Sequence, residues 1–214
     1  MKFDVQLNNG SFTPTSWGSR PSAVTSGIGA VFLCSDIGSS PTLMISNGTY
    51  WRPINGIAAL VMQSADITTV ANATEQIFGT QVTIPGNFLQ VGCKLRSWIS
   101  CSKSSTADTM TVRVRLGTAG TTADAQIVGT SNQATTNVSL GWWAEIHISS
   151  ATSARKLGNA SSLQPYPGVS ASAIPATVTI PNISNTLVLS TSSQSSLGTE
   201  TNTLYGQSIE IIFP

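Results

Sequence analysis

The chain has 214 residues, 40% of them hydrophobic and only 9% charged, with a net charge of +1. That length is enough to bury a real core in one sandwich-sized domain, while the near-neutral balance excludes the clustered Lys and Arg that a nucleic acid or an anionic membrane demands. The charged fraction lies far below the roughly 25% of ordinary soluble domains, so Ser, Thr, Asn and Gln must keep the surface wet, and such a surface repels its own copies poorly, which points to an oligomer.

The first ten residues, MKFDVQLNNG, contain no apolar stretch of the signal-peptide kind. No apolar run anywhere in the chain approaches the roughly 18 residues of a membrane-spanning helix. Residues 11–27 are rich in Ser, Thr, Pro and Gly, so residues 1–27 read as an extended arm that folding does not need. Phe12 and Trp17 are the aromatics of that arm, and they are candidate anchors on a partner.

Residues 28–56 read as a small β module. Short strands are expected at 30–34 and 42–46, joined through a Gly/Ser turn. Asn47-Gly48 is a strong hairpin signal, since both residues accept positive φ, and Tyr50-Trp51-Arg52-Pro53 closes the unit. Two or three such strands are too few to be stable alone. Tyr50 and Trp51 therefore either form a miniature core or dock against a partner.

From residue 57 onward, helical periodicity is absent and a period of two recurs. Met110, Val112, Val114 and Leu116 alternate with Thr111, Arg113 and Arg115. Trp142, Ala144, Ile146 and Ile148 alternate with Trp143, Glu145, His147 and Ser149, and Ile209, Ile211 and Phe213 close the chain in the same way. Shorter candidate strands lie at 58–64, 80–84, 94–101, 126–130, 176–180 and 186–191, with turn formers between them. Residues 57–214 therefore read as a sandwich or barrel, and the whole chain as all-β: a jelly-roll-like β-sandwich preceded by the arm and the hairpin module.

Chemistry is sparse. His147 is the only histidine, and no G-x-S-x-G elbow singles out one serine as its nucleophile. The acids are scattered through apparent turns, and no D-x-D-x-D loop suggests calcium. Cys34, Cys93 and Cys101 make an odd count without a C-x-x-C, and they read as small buried hydrophobes in a chain folded in a reducing cytoplasm. No catalytic, cofactor or metal site is expected. Two features invite partners. Trp142 and Trp143 point to opposite faces of their strand, so Trp143 either packs under a loop or neighbouring subunit or stacks on a sugar. Arg113 and Arg115 share one strand face and Glu145 and His147 another, so they are candidates to pair across strands or across a subunit boundary.

Two stretches carry a resemblance. Val31-Phe32-Leu33-Cys34-Ser35-Asp36-Ile37-Gly38, followed by Leu43-Met44-Ile45-Ser46-Asn47-Gly48-Thr49-Tyr50-Trp51-Arg52-Pro53, resembles a short module of tailed-phage structural proteins: a strand ending in T-D (here Ser35-Asp36), a glycine turn, then a strand, S-N-G-T, an aromatic and Trp. Residues 82–89, 92–97, 111–117 and 208–213 resemble the jelly-roll domains of phage head-fibre, decoration and tail-fibre proteins. The resemblance implies a non-enzymatic protein of the virion surface, made in the host cytoplasm, trimeric, and anchored by its N-terminal part. A capsid-attached decoration or head-fibre protein is the leading expectation. A tail-fibre protein whose jelly roll recognises a bacterial surface glycan is the alternative. The partners expected are other copies of the chain and capsid or tail proteins.

Overall fold

The computed structural model describes residues 14–37, 41–63, 65–78, 81–129, 139–157 and 177–214. Among these, fifteen strands form three antiparallel sheets, and the fold is all-β. Contacts divide the chain into two compact units, one ending at Ala58 and the other beginning at Ala59.

The first unit holds a three-stranded sheet in sequence order: β1 (Val31–Cys34), β2 (Thr42–Ser46) and β3 (Trp51–Pro53). Alternation turns Phe32, Cys34, Met44, Ser46 and Trp51 inward. The β2–β3 connection owes its shape to Asn47, whose Oδ1 accepts from the backbone N–H groups of Thr49 at 3.0 Å and Tyr50 at 2.8 Å. Only Gly48 of the Asn-Gly pair takes positive φ, at 90°.

Residues 14–27 are not an extended arm. They cross the sheet and complete its core. Thr15 bridges to Cys34, donating to Leu33 O at 2.8 Å and accepting from Ser35 N–H at 3.0 Å. A 3-10 turn at Trp17–Ser19 and a four-residue helix, α1 (Ala23–Ser26), follow, the helix capped by the Ser22 side chain. Trp17 lies 6.5 Å from Phe32, and Phe32 meets Trp51 edge-on at 4.7 Å. Arg20 stacks over the Trp17 ring at 4.0 Å, and the Trp51 indole N–H donates to Pro21 O at 2.7 Å. The physical reason is area: three short strands leave one side of their rings uncovered, and a Pro/Ser/Gly segment lies flat enough to cover it.

The second unit is built from β4 (Ile57–Gln63), β5 (Ile67–Thr68), β6 (Gln76–Ile77), β7 (Val82–Ile84), β8 (Lys94–Lys103), β9 (Met110–Gly117), β10 (Ala125–Gly129), β11 (Ser139–Ser150), β12 (Ser153–Leu157), β13 (Thr177–Thr179), β14 (Leu187–Ser195) and β15 (Asn202–Ile212). One sheet runs β10-β9-β14-β6, with β7 also on β14. The other runs β13-β12-β11-β8-β15-β4, with β5 also on β15. Its central pairs, β9–β14 and β8–β15, join strands far apart in sequence, as sandwiches of the Greek-key kind require.

The two inner faces differ along their length. At one end Leu95, Ile146 and Ile209 of the larger sheet meet Val114, Ile127 and Leu189 of the smaller. Toward the other end the contacts turn polar. Gln207 donates to Thr191 Oγ1 at 2.7 Å and Asn202 to Ser193 Oγ at 3.1 Å, so hydrogen bonds tie one sheet to the other. Most buried polar groups are tolerated here because they find partners, although Gln207 Oε1 and Ser190 Oγ find none among the described residues.

Candidate functional site

The polar end closes on a buried ion pair. Lys103 terminates β8 with its side chain fully buried, and its ammonium lies 3.9 Å from a Glu200 carboxylate oxygen and donates to Asp108 O. The other Glu200 oxygen accepts from Ser105 Oγ and from the backbone N–H groups of Ala107 at 2.7 Å and Asp108 at 3.0 Å. Asp108 reaches the opposite loop, accepting from Ser196 Oγ and from the N–H groups of Leu197 at 2.7 Å and Gly198 at 3.0 Å. Burial alone would push the Asp108 carboxyl up. The hydrogen bonds from Ser196, Leu197, Thr109 and Gly198 outweigh it and hold the group below the usual range. The cluster fastens the 104–109 and 196–200 loops together, and its acids are too buried to meet a substrate.

A second fastening lies on the smaller sheet. Arg115 grips Glu75 with two hydrogen bonds of 2.7 Å and donates to Asp124 O at 2.6 Å. Arg113 lies 3.4 Å from the same carboxylate, and Ser192 donates to it. Burial pushes Glu75 up, but Arg115, Ser192 and Arg113 together bring it below its ordinary value. Arg113 and Arg115 thus do pair across elements, but not with Glu145 and His147. They stand on β9 of the five-stranded sheet, whereas Glu145 and His147 stand on β11 of the seven-stranded one. The true partner, Glu75, lies just before β6, in a segment whose composition carries no strand pattern.

Glu145 is paired on its own sheet. It sits opposite Arg96 in register and accepts from Arg96 at 3.0 and 3.2 Å, with Lys94 at 3.3 Å. His147 lies opposite Lys94 on β8 and Arg155 on β12, half-buried. These groups share the outer face of the seven-stranded sheet with Trp98, which is 54% exposed at the middle of β8. Trp143, the sugar-stacking candidate, lies directly opposite Trp98 in register, and its side chain falls outside the described part of the structure. Trp98 was not singled out from sequence. The alternation of Leu95, Ser97, Ile99 and Cys101 with Lys94, Arg96, Trp98 and Ser100 carries the signal, because it forces the indole outward.

The docking candidates separate. Phe12 lies outside the described residues. Trp17 and Trp51 are each 3% exposed inside the first unit, so Trp17 is a core residue of the module and not a free anchor. Tyr50 is half-exposed, and Val24, Ile28 and Ile54 of the same unit are also exposed. Ile28 lies against the Gly48 turn that leads into Tyr50. All three cysteines are free and buried, and burial raises Cys34 and Cys93 to about 11 and Cys101 to about 12. Among the described residues no cluster of His, Cys, Asp and Glu is placed to hold a metal ion, and no helix is long and apolar enough to cross a membrane.

Comparison with known proteins returns no matching family model, no matching curated protein and no matching solved structure. The class that the chain's own geometry defines is an all-β, antiparallel sandwich-like protein with a small aromatic-cored β unit ahead of it.

Proposed function

We propose that the chain is a non-enzymatic structural protein of a bacteriophage particle, a decoration or head-fibre protein that docks by its N-terminal unit and displays the sandwich outward as a homotrimer. The observation that carries this reading is the division of labour between the two units. The first is small, closed around three aromatic rings, and leaves Val24, Ile28, Tyr50 and Ile54 exposed. A unit of this size with so much apolar surface is suited to bury it on a partner. The resemblance of residues 31–53 to a tailed-phage module names the kind of partner, a capsid or tail protein.

The use of the acids supports the non-enzymatic part. Asp36, Glu75, Asp108, Asp124, Glu145 and Glu200 each accept from donors inside the fold, and none of these contacts presents a pair of carboxylates to an open cleft. Labelling gradient-purified particles with antibodies raised against the recombinant chain tests the reading. Labels should sit on the particle surface, and light scattering of the free protein should give about three chains per particle of solute. Unlabelled particles would defeat the virion assignment, and a clean monomer would defeat the trimer.

A further inference from the structure

We infer that Lys103 and Glu200 become joined by an amide bond within the folded chain, the Lys103 ε-nitrogen adding to the Glu200 side-chain carboxyl carbon and one water leaving. Three observations meet at this pair. The first is enclosure: the two side chains are 0% and 1% exposed, and Lys103 Nζ stands 3.9 Å from Glu200 Oε2. The second is fixed placement. Lys103 ends β8 opposite Asn202 in register, and Glu200 lies just ahead of Asn202 in the chain. Ser104 N–H donates to Thr201 O at 2.9 Å and Thr201 N–H to Ser104 Oγ at 3.1 Å, so the residues next to the pair are tied to each other. Amine and carboxyl are thereby held as neighbours, which replaces a collision between two free reactants. The third is the unequal treatment of the two carboxylate oxygens. Oε1 accepts from Ser105 Oγ and from the N–H groups of Ala107 and Asp108, whereas Oε2 is buried with no hydrogen-bond partner among the described residues.

A carboxylate in a dry interior needs partners on both oxygens. An amide needs them on one oxygen and one N–H, and the site supplies that set: three donors at Oε1, and Asp108 O, which already accepts from Nζ. Oε2, the orphan, is the atom that amide formation removes. The three donors at Oε1 also face the oxygen on which negative charge collects when the nitrogen adds, as an oxyanion hole does. The step balances without a further reactant. The ammonium passes one proton to Oε2, leaving an amine and a carboxylic acid. The amine lone pair forms the N–C bond, a second proton passes from nitrogen to Oε2, and the C–Oε2 bond breaks to release water. Nothing is oxidised or reduced, and two buried charges disappear together with their desolvation cost. The neighbouring electrophiles are worse placed. Both Asp108 oxygens accept hydrogen bonds that hold the group as an anion, and the Asn202 amide is turned to Ser193 and Ser195 of the facing sheet. The inference goes beyond the virion reading and does not rest on it.

The test is the intact mass of the full chain, measured on freshly folded protein and again after long incubation under native conditions. The incubated parent should be lighter than its sequence by one water. A protease digest of it should yield one branched peptide that carries both Lys103 and Glu200. Lys103→Arg keeps the cation but replaces the amine by a guanidinium that stays protonated, so that chain should hold its sequence mass throughout. A parent still at its sequence mass after incubation would overturn the inference, whether or not the variant folds. So would a loss of ammonia, which would put the bond on Asn202, or a loss of water without the Lys103–Glu200 branch. All of these readings come from the purified chain, so they leave the virion reading untouched.

Discussion

The two units solve the problem of a closed interior in opposite ways. The first has three short strands, and it encloses its core by stacking Trp17, Phe32 and Trp51 and by laying residues 14–27 across them. The second has two sheets with area to spare, and it gives part of its interior to Lys103, Asp108, Glu200, Asn202 and Gln207. The chain has ten basic and nine acidic residues, and at least eight of these are engaged in ion pairs of the second unit. In a chain this poor in charge, the charges serve as fasteners between loops and strands rather than as a soluble coat. Size decides which solution is open, since a small unit buries too little surface to place an ion pair inside.

The largest effect should come from removing the segment that covers the rings. Deleting residues 1–27 takes away Trp17, Ala23 and the acceptor of the Trp51 indole, so the first unit should lose its fold while the second keeps its own transition. Differential scanning calorimetry should show one transition lost or shifted far down. An unchanged first unit would show that the segment merely lies on the sheet. Next in size is Lys103→Ala, which strands the Glu200 carboxylate without its cation and should cost about 3–5 kcal/mol in the second unit alone. Lys103→Met with Glu200→Gln should recover much of that loss, and urea melts of the single and double variants measure the difference.

Glu75 follows. Glu75→Gln breaks the bidentate grip of Arg115 and should cost about 1.5–3 kcal/mol at neutral pH, as charge-assisted hydrogen bonds do. Its pH signature has a definite sign. Glu75 and Asp108 are held below their ordinary values, so the stability they contribute is present above their unfolded pKa values, about 4, and is lost as pH falls through the lower native values. Melting temperature should be flat above about pH 5 and fall below about pH 4, and Glu75→Gln should flatten part of that fall. The smallest effect belongs to the outer face. Arg96 and Lys94 are well exposed, so Glu145→Gln should cost no more than about 1 kcal/mol, and added salt should shrink the difference. A cost comparable to that of Lys103→Ala would mean that a second copy of the chain covers the pair.

The strands that sequence makes legible are those that line the apolar end. The expected strands at 42–46, 94–101 and 110–116 coincide with β2 and with most of β8 and β9, because most of their inward positions are apolar: Met44, Leu95, Ile99, Cys101, Met110, Val112, Val114 and Leu116, with Ser46 and Ser97 the exceptions. The end of β14, residues 192–195, and the first half of β15, residues 202–207, escape notice for the opposite reason. Apart from Leu204 their inward residues are Ser193, Ser195, Asn202 and Gln207, so a largely polar interior erases the period-two hydrophobic signal. The same erasure hides the acids. Asp108 and Glu200 stand 92 residues apart, and only the long crossover between strands brings them together. Trp17 misleads for a related reason: a Ser/Thr/Pro/Gly context describes a segment without its own core, and cannot say that the segment completes another's. Trp98 was legible in the alternation of β8 and was overshadowed by the Trp142-Trp143 pair.

The most direct measurement of the proposed virion role is quantitative mass spectrometry of gradient-purified phage particles prepared from a lysate that contains the chain. A surface structural protein should be present in fixed ratio to the major capsid protein, in a copy number divisible by three, and should remain with the particle through a high-salt wash. Absence from the particles, with the chain found only in the lysate, would contradict the virion reading outright.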